Sequence, residues 1–282
     1  MRIAVACLCL CLCFAADRLA LAGAWTYPEG KGQLIFTTLL AGARNAYGPD
    51  GRLVSTPPYR KLETRAWIEH GLTDWLTLIA EGSAMNFRAA PTPYDPLDLL
   101  IAEAKAGAPF YVPPPAAIKY QGLGLGAAGA RVRLLDTGDY VFSAQTSLRT
   151  ASQEARRFLD MRERMQVDAR MLLGRKFDLF GFGGFLDAQL GYRSGGQNGN
   201  EMRLDLTAGL RPFDSVLLMG QSFSAIAPRG ARTNSITEQK FQLSVVYEAT
   251  PSISVQIGAV KALGGVNAPA EQGVISAIWW RY

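Results

Sequence analysis

From Gly32 to Tyr282 the chain is apolar on every second residue, in one segment after another. Period two belongs to the β-strand, whose side chains alternate between two faces. A surface helix would instead repeat its apolar residues three and four apart. In "EMRLDLTAGLR", Met202, Leu204, Leu206, Ala208 and Leu210 share one face, and Glu201, Arg203, Asp205 and Thr207 share the other. The same pattern marks segments near 32–47, 59–70, 75–86, 122–135, 140–150, 161–174, 180–193, 201–211, 216–226, 236–248, 252–262 and 273–282. The spacing predicts an all-β chain of about twelve strands.

The links alternate in length as regularly as the strands alternate in polarity. Short ones, such as "GLTD", "DTGD", "PFDS" and "ATP", hold turn-forming residues. Longer Gly/Pro-rich ones fall between them, at 48–58, 87–121, 151–160, 194–200, 227–235 and 263–272. An up-and-down antiparallel meander with one trimmed rim and one elaborated rim produces this order. A soluble sandwich also alternates polar and apolar residues, but at this size it would bury some strands on both faces. Here the polar faces carry charges of both signs. Aromatic residues mark the short-turn rim, at Trp75, Tyr140, Phe213, Tyr247 and Tyr282, while mid-strand apolar positions are mostly aliphatic. An aromatic girdle beside an aliphatic band is the lipid-facing side of a transmembrane β-barrel. Closure into a barrel also removes the exposed strand edges of an open sheet. Bacterial barrels keep short turns in the periplasm and long loops outside. Residues 25–31 are therefore expected in the periplasm, and Tyr282 at the inner rim.

The first 24 residues read differently. Arg2 precedes the apolar run "IAVACLCLCLCFAA", and Ala22-Gly23-Ala24 is a small-x-small site. Residues 1–24 are expected to be a signal peptide cut near Ala24, which leaves 25–282 as the barrel. The apolar run is too short to span a bilayer comfortably as a helix. All four cysteines lie in it, so the mature chain has none for disulfides or thiolate metal sites. The formal net charge of the chain is +5, and its positive residues come singly rather than in a stripe. That argues against a nucleic-acid partner. With one histidine, and no cysteine left in the mature chain, a transition-metal site is not expected, and no cofactor is expected.

The polar faces carry the remaining chemistry. Lys61, Glu63, Arg65, Glu81, Arg149, Arg162, Arg164, Arg203 and Lys240 are candidates to line a lumen, with Asp168, Arg170, Asp187 and Asp205 deeper. Carboxylates crowded on neighbouring strands repel unless paired, and Arg170 and Arg203 are the expected partners. Such a face fits a pore whose mouth attracts anions, with a filled lumen in which the charges pair as the alternative. "GLGLGAAGAR" has glycine spacing that suggests a dinucleotide site, but the helix which that fingerprint requires does not follow it. The long link 87–121 carries Leu97, Leu99, Leu100, Ile101 and Ala104 at roughly helical spacing, so a short helix over the mouth is expected there.

The leader, the alternating strands and the terminal "ISAIWWRY" resemble those of the bacterial outer-membrane β-barrel proteins. The resemblance implies a chain in the outer membrane of a Gram-negative bacterium, surrounded by lipid. It implies the barrel-assembly machinery as a partner, reading Tyr282 with Trp280 and Ile278 at alternate positions before it. Members of that class usually end in Phe, where this chain has Tyr. The hairpin "EHGLTDWLTLIAEGS" and the strand "GLGLGAAGARVRLL" are similar to segments of the phenol-degradation meta-pathway transporter family. Some barrels of the broader class are lipid hydrolases with a Ser–His pair. Here His70 precedes Gly71 and Leu72 at the periplasmic rim, so no proton shuttle of that kind is expected and no catalytic residue is assigned. The function expected is passive or facilitated passage of a small solute, with a preference for anions. A non-conducting barrel serving structure or surface-polymer export is the alternative.

Overall fold

The computed structural model describes residues 23–91, 117–158, 164–196, 199–228 and 235–282. Twelve long antiparallel strands and one two-residue bridge form a single closed sheet. They are β1 (Gly32–Tyr47), β2 (Leu53–Thr73), β3 (Leu76–Ala89), β4 (Ile118–Asp136), β5 (Tyr140–Ala151), β6 (Met165–Leu179) and β7 (Phe182–Gly196). After them come β8 (Gly199–Phe213), β9 (Val216–Ala227), β10 (Ile236–Glu248), β11 (Ile253–Val266), the bridge β12 (Ala268–Pro269) and β13 (Gln272–Arg281). Each long strand pairs with the next long strand in the chain, β13 pairs with both β11 and β1, and the bridge β12 pairs with β1. At the seam Gln33 opposes Arg281 and Phe36 opposes Ile278. Gly32 and Tyr282 exchange backbone hydrogen bonds of 3.0 Å. The terminal segment is the closing strand of a barrel.

Alternation decides which side chains face out. Phe36, Leu40, Leu62, Leu78, Leu148, Leu190 and Ile257 are exposed on the outer wall, which is stable only where the surrounding solvent is apolar. Ile278, Trp280, Tyr282, Trp75, Tyr140, Phe213 and Tyr247 are likewise exposed, beside the short turns or at the chain end. The turn Phe180-Gly181 shows what this rim tolerates. Both residues have positive φ, 54° and 85°, as a two-residue I′ hairpin demands. A bulky residue in that conformation costs about 1–2 kcal/mol. Phe180 is 92% exposed at the tip of this turn.

Outside the sheet, a short helix α1 (Gln153–Phe158) follows β5 in the longer link near 151–160. The Ser152 hydroxyl accepts the Ala155 N–H at 3.1 Å. Glu154 lies in the first turn, and Arg156 and Arg157 in the last. Cap and charges both suit the helix dipole. The helix expected within 87–121 concerns residues 92–116, which lie outside the described residues, as does most of the leader, 1–22.

The densest apolar packing lies inside the barrel. Ala24, Trp25, Thr26 and Tyr27 are all buried. Residues 25–31 were expected in the periplasm, but the first of them instead enter the lumen from the short-turn end. Trp25 belongs to one buried cluster with Val141, Leu172, Phe185, Leu217, Val246 and Trp279, and its ring meets Phe185 edge-on at 6.0 Å. These partners sit on inward positions, in phase with the lumen charges. The wall is shaped for the segment: a Cβ at Gly174 would lie 2.6 Å from the Trp25 ring, and one at Gly71 would lie 2.2 Å from the Pro28 carbonyl oxygen. The physical reason is burial, because an indole left at the periplasmic face would keep its apolar surface in water.

Candidate functional site: the lumen

The register of the strands stacks the inward side chains into two layers of different chemistry. The lower layer, toward the short turns, holds the N-terminal segment. There Arg131 is 3% exposed, and its guanidinium is fully engaged. It meets Glu69 at 2.6 Å, donates to the Trp25 carbonyl at 2.9 Å and donates twice to Gln145 Oε1. The Thr77 hydroxyl accepts the Tyr27 N–H at 2.9 Å, and the Ser143 hydroxyl donates to the Ala24 carbonyl. Glu69, Arg131, Gln145, Ser143 and Thr77 were not recognised from sequence as binding residues. Their only signal was a place in phase with the lumen charges.

The upper layer is an ion-pair lattice. Arg170 bridges Asp168 and Asp205, at 2.7 Å to each. Arg193 takes the other side of Asp168 at 2.6 Å and meets Glu201 at 2.8 Å. Arg203 pairs with Glu201 at 3.2 Å rather than with the deep aspartates. Across the lumen, Arg65 joins Glu63 and Glu81. Lys61 and Lys240 converge on Glu271, at 3.1 and 3.3 Å. Asp187 stands apart: its carboxylate accepts the Gln189 amide and the Ala24 N–H. Arg149 has no carboxylate in the ion pairs found among the described residues, and its buried Nε lacks a hydrogen-bond partner there. Arg164 is exposed just before β6, on the long-loop side, where its carbonyl accepts the Thr150 hydroxyl. Arg162 lies outside the described residues.

Against the Lys61, Glu63 and Glu271 part of the lattice lies a cavity of about 340 Å³, lined also by Tyr59, Met85, Phe87, Leu125, Phe158 and Pro269 among others. Tyr59 stacks on Phe87 at 5.1 Å, Phe87 meets Phe158 at 5.1 Å, and Phe158 stacks on Tyr120 at 4.6 Å. Helix α1 thus delivers one aromatic ring to a cluster otherwise built from β2, β3 and β4. The cavity is mainly apolar, with ammonium and carboxylate groups at one side.

Glu271 precedes β13 and ties the bridge loop to that cavity. Burial opposes its charge. The ammonium groups of Lys240 and Lys61 and the Tyr59 hydroxyl at 2.8 Å outweigh this and hold its carboxyl down to about 2. A depressed folded-state pKa contributes stability that is complete above the ordinary glutamate value near ~4.3 and is lost as pH falls toward the folded value. Thermal unfolding followed from pH 5 to pH 2 should therefore show a falling midpoint in wild type. Glu271→Gln should flatten that part of the slope, and an identical slope in both proteins would show that this carboxyl is not linked to folding.

At the opposite rim, His70 points outward. Its ring stacks on Tyr282 at 6.0 Å, with the phenol oxygen 3.4 Å from Nδ1. Among the described residues there is no group of His, Cys, Asp and Glu that could hold a metal ion.

No family model matches the sequence, and no curated protein matches it either. Solved structures do. The crystal structure of the COG4313 outer membrane channel from Pseudomonas putida F1 superposes with a TM-score of 0.65 at 13% identity, covering 94% of this chain and 100% of that one. The KdgM porin in complex with disordered oligogalacturonate gives 0.48 at 7% identity, covering 89% and 99% of the two chains. The NanC porin gives 0.49 at 8% identity, covering 87% and 100%. The first likeness extends over nearly the whole of both chains and shows a shared fold, that of the outer-membrane β-barrel proteins.

Proposed function

We propose that this barrel is an outer-membrane channel for facilitated passage of a small solute, captured in the outer cavity and moved along the charged upper lumen. The observation that carries this reading is the aromatic cavity set against a polar, charge-lined wall. Its dimensions suit a small molecule with one apolar face, since ligand sites are typically apolar hollows with a few placed polar groups. Arg149 and Arg203 bias the upper wall toward anions, because the remaining cations are more fully neutralised by carboxylates. Onward passage requires the N-terminal segment to yield, as only side-chain and backbone contacts hold it in the lumen. The outer-membrane lipid surrounds the wall, and the barrel-assembly machinery reads Tyr282 at the end of β13.

Planar bilayers test the reading. Under a salt gradient, the wild-type barrel should conduct with a reversal potential displaced toward the anion. Arg149→Gln should move that potential toward zero while conduction persists. A cation-directed potential would remove the anion preference alone. Absence of both conductance and solute-driven liposome swelling would favour a second reading, a closed structural or export barrel. The Trp25 cluster filling the periplasmic half is the observation on that side.

A further inference from the structure

The buried carboxylate of Asp187 lacks the partner its position demands. The residue is 3% exposed. Its two oxygens accept only neutral donors, Gln189 Nε2 at 2.8 Å and the Ala24 N–H at 2.7 Å. No ion pair to it is found among the described residues. A charged carboxylate taken out of water without a cation is costly, and the rest of the lumen avoids that situation by pairing.

The chain itself passes beside this carboxylate. Gly23 packs so closely that a Cβ there would lie 2.0–2.2 Å from the Asp187 carboxyl atoms, and its φ is +77°. Its Cα is thus in contact with the carboxylate, and its nitrogen is one bond away, about 1.46 Å from Cα. Ala24 is completely buried, with both backbone groups bonded, to Asp187 and to Ser143. In the sequence, Gly23 follows Ala20-Leu21-Ala22, itself a small-x-small site of the kind signal peptidase reads.

We infer that the leader is removed between Ala22 and Gly23, two residues before the cut expected from Ala22-Gly23-Ala24, and that the new α-ammonium of Gly23 pairs with Asp187 inside the lumen. Water adds across the Ala22–Gly23 bond. Ala22 leaves as a carboxylate, and Gly23 gains an amine that is protonated at neutral pH, its ordinary pKa being about 7.7–8.0. Proteolysis thereby creates the missing cation. A cut before Trp25 would delete the Asp187 and Ser143 bonds made by Ala24. It would also place the amine on a residue whose carbonyl and ring are already held by Arg131 and Phe185. Processing and closure of the lumen become one event, because a chain still carrying its leader offers Asp187 a neutral amide. This inference is independent of whether the barrel conducts.

Intact mass and N-terminal sequencing of the barrel extracted from outer membranes test the cut. A start at Gly-Ala-Trp-Thr is expected, and a start at Trp25 or any other residue overturns it. The pairing is tested by an amine-reactive ester, with modification of the Gly23 peptide followed by mass spectrometry. Pairing raises the amine pKa, and each unit lowers the reactive free-base fraction about tenfold. The folded wild type should therefore react at least about tenfold more slowly than Asp187→Asn, with folding verified by heat-modifiable migration. Equal rates overturn the pairing. Should Asp187→Asn not fold, folded and urea-unfolded wild type give the same comparison, and equal rates there overturn it as well.

Discussion

Replacing Arg131 with methionine is expected to destabilise the folded barrel by about 3–5 kcal/mol, because it strands a buried charge. Glu69 would lose the cation it meets at 2.6 Å, and the Trp25 carbonyl its donor. Chemical unfolding of the refolded barrel measures the loss, and the pair Glu69→Gln with Arg131→Met separates its sources. Removing both charges should recover much of the stability lost with one, since the larger part of the cost is the unpaired carboxylate rather than the missing contact. A single variant as stable as wild type would show that water reaches Glu69 and that the lower layer is looser than its distances suggest.

Trp25→Ala should have a comparable effect on stability and a larger one on conduction. Truncating a buried aromatic costs about 3–5 kcal/mol where the walls cannot collapse, and barrel strands locked into two neighbours have little freedom to close a gap. The emptied space lies inside the barrel, within the cluster that includes Phe185, Leu172 and Trp279. Unit conductance in planar bilayers should therefore rise as the midpoint of unfolding falls. Increased conductance with an unchanged midpoint would mean that the segment leaves the lumen without strain. No change in either would show that Trp25 does not limit passage.

The barrel was legible because its rule is local. A lipid-facing strand must alternate, and Met202, Leu204 and Leu206 against Arg203 and Asp205 state that rule within five residues. The lumen wall followed from the same phase: Lys61, Glu63, Arg170 and Lys240 lie inward because their neighbours lie outward. Partner choice was less accessible. Arg203 was expected to serve the deep aspartates, yet Arg193 reaches Asp168 instead, because the register sets Arg193 opposite it. Glu271 was not considered, since it sits in a link where periodicity carries no information. The aromatic cavity was missed for a similar reason: Phe158 arrives on a helix capped by Ser152, inside a segment that reads only as a loop.

Alternating polarity alone was enough to specify a closed antiparallel barrel and its final strand, since each of these depends on residues that are near neighbours or on the two ends of one sheet. The occupant of the lumen was out of reach of that logic. Trp25 meets residues more than a hundred positions away, and Arg131 finds its carbonyl at a separation of 106. Nothing in a seven-residue stretch before the first strand announces whether it stays in water or enters a cavity. That choice rests on the space left when twelve strands close and on which inward positions are apolar, and both exist only once the ring is complete.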